Sequence, residues 1–284
     1  MFAVLGATGK TGRYLVEKLC ADGHDVLAVG RSRERLATLG GGCRHALADF
    51  DHPVTVAKAL ISASHVLSLA HAGHTRVLLD CLPSRCERLV LTGSTRRFTA
   101  LPDAAADTVR AAETLFLTSG ISGVMLHPSM IYGAPDDRNI NRLLNVVRGA
   151  RILPLPNGGR NLVQPVFVDD MVAAFAAAAT EPSAPGPSIV VAGPEPITYA
   201  HMLRACAAAQ DISITVIPIP GSLLRAGAGV ASALGIKTPF NAAEIRRATE
   251  DKSFPITALK SRLGITPRSF EEGLRLKLER GWVS

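Results

Sequence analysis

The stretch Phe2-Ala-Val-Leu5-Gly6-Ala-Thr8-Gly9-Lys10-Thr11-Gly12 reads as a short strand running through a glycine-rich turn into a helix. Phe2 to Leu5 is an unbroken apolar run, the pattern of a parallel strand buried on both faces. Each glycine has its own use. Gly6 lets the chain turn sharply, Gly9 lets backbone approach an anion closely, and Gly12 lets the following helix, expected over Thr11–Ala21, pack tightly on the strand. The start of that helix aims N–H donors and the positive end of its dipole at the turn. Strand, turn and helix in this order make a cradle for the pyrophosphate of a dinucleotide, with Thr8, Lys10 and Thr11 set among the glycines.

Working outward, apolar runs alternate with helix-period segments through the first half. Strands are expected at Phe2–Leu5, Asp25–Val29, Cys43–Leu47, His65–Leu69, Arg88–Leu91 and Gly123–Leu126. Helices fall between them at Thr11–Ala21, Ser32–Leu39, Pro53–Ile61, Thr75–Leu82 and Asp103–Thr118. Such alternation implies an α/β fold of the Rossmann type, a doubly wound parallel sheet with its ligand across the carboxyl ends of the strands. After Gly133 the rhythm changes. A helix is expected over Asn139–Arg148, a turn-rich stretch over Pro154–Gly159, and a strand over Val166–Val168 with Asp169 or Asp170 capping a helix. One more strand is expected over Ser188–Ala192, then mostly helix from Thr198 to a last one over Ser269–Gly281. Residues 1–133 thus read as the dinucleotide-binding core. Residues 134–284 read as a mixed segment that completes the sheet and forms a small C-terminal substrate lobe, not an independent domain.

With 47% hydrophobic and 19% charged residues among 284, the chain has the composition of a globular protein able to bury a large core. Its net charge of +7 comes from dispersed arginines without a basic-aromatic run, which argues against nucleic acid as a partner. The apolar stretch Ser222–Ile236 is short and broken by Arg225 and glycines, so no membrane span is expected. A strand starting at the first residues leads us to expect no signal or transit segment and a cytoplasmic location. Five scattered cysteines without ligand spacing are expected to be reduced thiols, with no metal site. A small-molecule substrate or nucleotide is the expected partner, and an oligomer is compatible with the chain.

The second strand decides the cofactor. An NAD-selective site places an acid at its end to hold the ribose hydroxyls, but here it ends in Gly30-Arg31-Ser32-Arg33. Arg31 offers a planar fork of donors to a 2′-phosphate and Ser32 a hydroxyl, with Arg13 and Arg35 near enough to assist. NADP(H) is therefore expected over NAD(H). The alternative is Arg31 as a solvated side chain stacked on adenine. Asp49-Phe50 after the third strand can face the adenine, or can be a helix cap beside a core ring. Leu69-Ala70-His71 should pass the nicotinamide-side ribose.

With these pieces placed, the chain resembles the short-chain dehydrogenase/reductase superfamily on its extended, atypical side. The resemblance rests on the glycine turn, Ala48-Asp49-Phe50, Leu91-Thr92-Gly93-Ser94, His127-Pro128-Ser-Met130-Ile131-Tyr132-Gly133, Gln164-Pro-Val-Phe-Val-Asp169-Asp170, and the tail from Leu263-Gly264-Ile265 to Glu272-Gly273-Leu274. It is similar to epimerase/dehydratase-like, NmrA-like and complex I accessory-subunit branches. The resemblance implies that Thr92, Pro128, Met130 and Ile131 lie beside the cofactor. It also implies a Tyr-x-x-x-Lys pair on the helix after the fifth strand, in which lysine lowers the phenol's pKa for proton exchange with the substrate. That helix here reads Asp103-Ala-Ala-Ala-Asp107-Thr-Val-Arg110-Ala-Ala-Glu113, without tyrosine or lysine. Tyr14-Leu-Val-Glu-Lys18 matches the pattern only by chance, on the first helix.

Three readings stay open. A reductase can use other groups, with Ser94 bonding a substrate oxygen and Tyr132, His71 or His127 supplying a proton. The protein can instead bind NADP(H) without turnover, as a redox sensor, regulator or scaffold. In the third reading Arg110 does the missing lysine's electrostatic work. Arg96 and Arg97, with Arg138, Arg142 and Arg160, are candidates to hold an anionic substrate, against a reading as solvated loop charges.

Overall fold

The protein is described by a computed structural model over residues 1–40, 42–180, 188–222 and 250–282; the expected apolar stretch beyond Ser222 lies outside them. In chain order the elements are β1 (Phe2–Leu5), α1 (Gly12–Ala21), β2 (Val26–Gly30), α2 (Arg33–Ala37), β3 (Arg44–Leu47), α3 (Pro53–Leu60) and β4 (His65–Ser68). Next come α4 (Thr75–Asp80), β5 (Arg88–Thr92), α5 (Ala104–Thr118), β6 (Gly123–Pro128), β7 (Ile131–Tyr132), α6 (Arg138–Gly149), β8 (Ile152–Pro156), β9 (Leu162–Val163) and β10 (Val166–Phe167). The chain continues with α7 (Val168–Thr180), β11 (Ser188–Val191), β12 (Ile197–Thr198), α8 (Tyr199–Ala208), β13 (Thr215–Ile219), α9 (Thr257–Leu263) and α10 (Phe270–Glu279).

The chain divides into two units, the first made of residues 1–131, 168–191 and 255–267. Its seven-stranded sheet runs in the order β3-β2-β1-β4-β5-β6-β11, and every pairing is parallel. Phe2 pairs with Val26 on one side and His65 on the other, so the strand order reverses about β1. A crevice opens at the carboxyl ends of β1 and β4, where the glycine turn and Leu69-Ala70 lie. The central strands are buried on both faces, as their apolar runs require. On α5 the buried face is Ala106, Val109, Ala112 and Phe116, at helical spacing, and Glu113 sits among them. An acid in an apolar stripe calls for a partner.

The second unit holds residues 132–167, 192–254 and 268–284. Asp137 caps α6, its Oδ1 accepting from the Asn139 amide at 2.9 Å. β8 and β13 pair in parallel, Thr215 opposite Ile152 through Ile219 opposite Pro156. Neither strand was expected: Pro154 and Pro156 read as turn residues, and β13 falls in the stretch from Thr198 expected to be mostly helical. Both are short: β8 buries Leu153 and Leu155 and leaves Ile152 and Pro154 exposed, while β13 has no fully buried residue; short strands paired on one side tolerate proline, which lacks a ladder donor. A second correction concerns α7. It starts at Val168, so Asp169 and Asp170 lie inside its first turn instead of capping it, where their charge complements the dipole. The last helix opens with a full capping box between Ser269 and Glu272.

Candidate functional site

The glycine turn is built as its spacing requires. Gly6 has φ +76° and lies against the Leu69 backbone, where a Cβ would come 3.3 Å from the carbonyl carbon. A Cβ on Gly12 would sit 2.2 Å from the Gly6 carbonyl oxygen, so only glycine lets α1 reach the turn. The Gly9 amide donates to the Gly6 carbonyl at 2.9 Å and closes the turn. No side chain caps α1, and its first turn carries no acid. The helix therefore presents its dipole to an outside anion, which fits the pyrophosphate of a dinucleotide.

Two cavities flank this turn. The larger, about 610 Å³, is lined by Gly6, Thr8 and Gly9, by Arg31 and Ser32 after β2, by Asp49 and Phe50 after β3, and by Leu69, Ala70 and His71 after β4. Phe50 is stacked on His74 with ring centroids 4.6 Å apart and a 15° tilt, a flat apolar wall in that cleft. Asp49 is tied to local backbone, its Oδ1 accepting from the Asp51 amide at 3.1 Å. Arg35 donates from Nη2 to the Thr8 carbonyl at 2.7 Å and braces the glycine turn against α2. Ser32 caps α2 by accepting the Arg35 amide at 3.2 Å, while its hydroxyl donates to Glu34 Oε2 at 2.7 Å. That bond holds the Glu34 carboxyl below its usual pKa. An acid thus stands beside Ser32, although none ends the strand itself.

The smaller cavity, about 220 Å³, is lined by Gly6, Gly9, Lys10, Thr11 and Gly12, with Leu69, Thr92 and Ile131. Met171 and Phe175 of α7 complete it. The sequence reading missed both; the signal was two large apolar side chains at i, i+4 in a helix whose other apolar residues are alanine and valine. Thr92 donates from Oγ1 to the Ser68 carbonyl at 2.8 Å. Pro128 and Met130 lie outside both linings, and the Pro128 carbonyl accepts from Thr95 Oγ1 at 3.2 Å.

The candidate proton donors are placed unequally. His71 caps a 3-10 turn, its Nδ1 accepting the Gly73 amide at 3.1 Å. Tyr132 is 1% exposed, and its hydroxyl donates to the Phe270 carbonyl at 3.1 Å within the second unit. His127 is fully buried; its Nδ1 accepts the Ser94 amide at 3.1 Å and its Nε2 faces Glu113 Oε1 at 3.3 Å. Burial pushes the His127 pKa down, against the pull of Glu113. Ser94 Oγ accepts the Arg96 amide at 3.1 Å. Arg96 and Arg97 turn to carboxylates, with Nε atoms 2.8 Å from Asp103 and 2.6 Å from Glu113. Arg110 pairs with Asp107 at 2.6 Å and donates to the Arg97 carbonyl at 2.7 Å. Arg138, Arg142 and Arg160 belong to the second unit. Among the described residues no His, Cys, Asp and Glu side chains group in a way that could hold a metal, and no helix is long and apolar enough to cross a membrane.

Comparison with known proteins agrees with this geometry. Residues 6–138 match the family described as NAD(P)H-binding. Comparison by sequence with curated proteins finds no match. Among solved structures, the triphenylmethane reductase of Citrobacter sp., complexed with NADP(H), superposes with a TM-score of 0.76 at 18% identity, over 99% of both chains. An NADPH-dependent quinone oxidoreductase from Escherichia coli gives 0.72 at 16% identity, over 97% of this chain and 99% of that one. A short-chain dehydrogenase/reductase superfamily protein from Agrobacterium tumefaciens with bound NAD gives 0.72 at 18%, over 98% and 95%. These likenesses establish the fold. The match to the NAD(P)H-binding family over residues 6–138 and the likeness to these solved structures thus agree on a Rossmann-type fold.

Proposed function

We propose that this protein is an NADP(H)-dependent oxidoreductase acting on a small carbonyl or hydroxyl substrate without a Tyr-x-x-x-Lys pair. The observation that carries the reading is the pair of cavities on either side of the glycine turn. One is edged by Arg31, Ser32 and Arg35 and walled by Phe50, a place for an adenosine bearing a 2′-phosphate. The other is apolar and ends at Thr92, two residues before Ser94. When bound, the nicotinamide supplies hydride to a carbonyl carbon. The chain's part is to orient the ring through Leu69, Ile131, Met171 and Phe175 and to offer Ser94 Oγ–H to the carbonyl oxygen. The product's proton comes from water, since Tyr132 and His127 are buried and engaged elsewhere.

The 2′-phosphate preference rests on Arg31. A charge-assisted hydrogen bond contributes about 1.5–3 kcal/mol, or roughly ten- to a hundredfold in affinity. Titration of NADPH and NADH against intrinsic fluorescence tests it: NADPH should bind at least tenfold tighter, and Arg31→Ala should remove most of the difference. Equal affinities in the unmodified protein refute the preference. Turnover is tested with NADPH and a panel of quinones, aldehydes and ketones, followed by nicotinamide absorbance; Ser94→Ala should lower kcat.

The buried Tyr132 hydroxyl favours a second reading, a non-catalytic NADP(H)-binding sensor, regulator or scaffold. Tight binding without turnover across the panel, together with different conformations in NADP⁺ and NADPH, supports that reading instead.

A further inference from the structure

Ser94 is held from two sides by groups the proposed reaction does not use. Its amide donates to His127 Nδ1 at 3.1 Å. The ring lies so close to the turn after β5 that a Cβ on Gly93 would come 2.3 Å from Nδ1. Because Nδ1 accepts, the imidazole proton resides on Nε2 and points at Glu113 Oε1, 3.3 Å away. Glu113 is 4% exposed, and its other oxygen forms an ion pair with the Arg97 guanidinium, 2.6 Å from Nε. Arg97 returns to the turn that Ser94 opens. On the far side, Ser94 Oγ accepts the Arg96 amide at 3.1 Å, and Arg96 is tied to Asp103 at 2.8 Å. A hydroxyl carries one donor and two acceptor sites. With the backbone N–H committed and one lone pair filled, the O–H remains to donate.

We propose that His127, supported by Glu113 and Arg97, is a positioning residue that fixes Ser94 as a hydrogen-bond donor to the substrate's carbonyl oxygen. The inference rests on the reductase reading for its consequence, but its geometry can be tested without turnover. Protonation of His127 places a hydrogen on Nδ1, opposite the Ser94 N–H, and turns an acceptor into a second donor. The charged groups facing the ring are Glu113 from α5, which favours that protonation, and Arg97 from the turn after β5, which opposes it, as burial does. Ser94 should therefore loosen on the acid side.

The test uses the full chain and three variants. His127→Phe keeps the ring's bulk and removes the acceptor. His127→Asn keeps an oxygen near the Nδ1 position. Glu113→Gln removes the charge and keeps the hydrogen bond. The readouts are the NADPH dissociation constant, kcat with a quinone substrate, and hydrogen exchange of the Ser94 amide followed by NMR without substrate. For His127→Phe we expect NADPH affinity within about twofold of wild type, Ser94 exchange faster and kcat lower by about tenfold each, the worth of one hydrogen bond. His127→Asn should restore most of both. In Glu113→Gln the acid limb of kcat and of Ser94 protection should move down together by roughly one pH unit. Unchanged Ser94 exchange in His127→Phe overturns the proposal. So does equal damage in the Phe and Asn variants with NADPH binding lost, which marks a merely structural role. A wild-type protein without turnover refutes the reductase reading alone, because the amide readout still decides the role of His127.

Discussion

Replacing Gly12 by alanine should separate the cofactor cradle from ordinary packing. The added Cβ would lie 2.2 Å from the Gly6 carbonyl oxygen and 3.0 Å from the Ala7 carbonyl carbon, roughly 1 Å inside contact with the oxygen. α1 must then retreat from the turn by about that distance. The same helix buries Leu15, Val16 and Leu19, so retreat loosens their packing, and overpacking of this kind costs about 1–3 kcal/mol. Better helix propensity returns at most about 1 kcal/mol. The net, about 1–2 kcal/mol, lowers Tm by about 2–8 °C in a protein of this size. Binding should suffer more than stability. A 1 Å displacement of the N-terminal amides forfeits at least one charge-assisted hydrogen bond to phosphate, about 1.5–3 kcal/mol, or at least tenfold in NADPH affinity. Gly149→Ala is the control: it ends α6 and a Cβ there meets nothing within 4 Å. Thermal melting and NADPH titration of the three proteins measure both effects. Wild-type NADPH affinity in Gly12→Ala, with or without a lower Tm, refutes the placement of the pyrophosphate at this turn.

Other expectations follow from buried polar groups. His65 and His127 have pKa values lowered from 6.5, chiefly by burial. Between the folded value and 6.5 the unfolded chain therefore binds more protons, so stability should fall as pH drops from about 6.5 and level off below the folded value. Tm measured from pH 7.5 to 5 should decline; a flat profile contradicts the assignment. Lys277 is fully buried and donates to the carbonyls of Ala134 and Trp282. Lys277→Met should leave a buried carbonyl short of a donor and lower stability by about 1–3 kcal/mol in urea unfolding; no change refutes that role. The Cys206 thiol, buried and near Asp137, is pushed up to about 12. It should resist alkylation at pH 8 until the protein unfolds, as mass spectrometry can show.

The first unit was legible because its signals are local and redundant. Each strand of the parallel sheet is an apolar run closed by a turn, and each glycine of the first turn has a steric duty that no other residue type can fill. The second unit was less so. Among the described residues β8 and β13 pair with each other across more than fifty residues; the prolines of β8 carry the turn signal that usually excludes a strand, and β13 lies in a stretch that reads as mostly helical. Glu34 is not legible at the end of β2, because its side chain reaches back to Ser32 from the first turn of α2. Met171 and Phe175 could be assigned to a helix from sequence, but not to a cavity. Which face of α7 meets the glycine turn depends on how α1 and α7 pack, and no local pattern records that.

The absence of tyrosine and lysine from the start of α5 is the central difficulty for catalysis. The buried face of α5 gives that loss a different weight. Glu113 occupies a position where an acid is expensive unless it is partnered, and it has two partners, a hydrogen bond to His127 and an ion pair with Arg97. Neither contact helps the helix alone; both lead to the turn that carries Ser94. A helix that had only to cover the sheet could carry leucine or alanine there, like its neighbours Ala112 and Phe116. The retained charge thus organises the turn after β5. Removing Tyr-x-x-x-Lys takes away a proton donor and its activator, but it leaves intact the means of holding one hydroxyl in a fixed direction. For a substrate whose oxygen needs only a hydrogen bond while hydride arrives, as with an easily reduced quinone, that is sufficient. For an unactivated ketone it is not, since the alkoxide formed needs a stronger acid close by. Turnover that is measurable with quinones and absent with simple ketones would accordingly fit this site, and the reverse order would not.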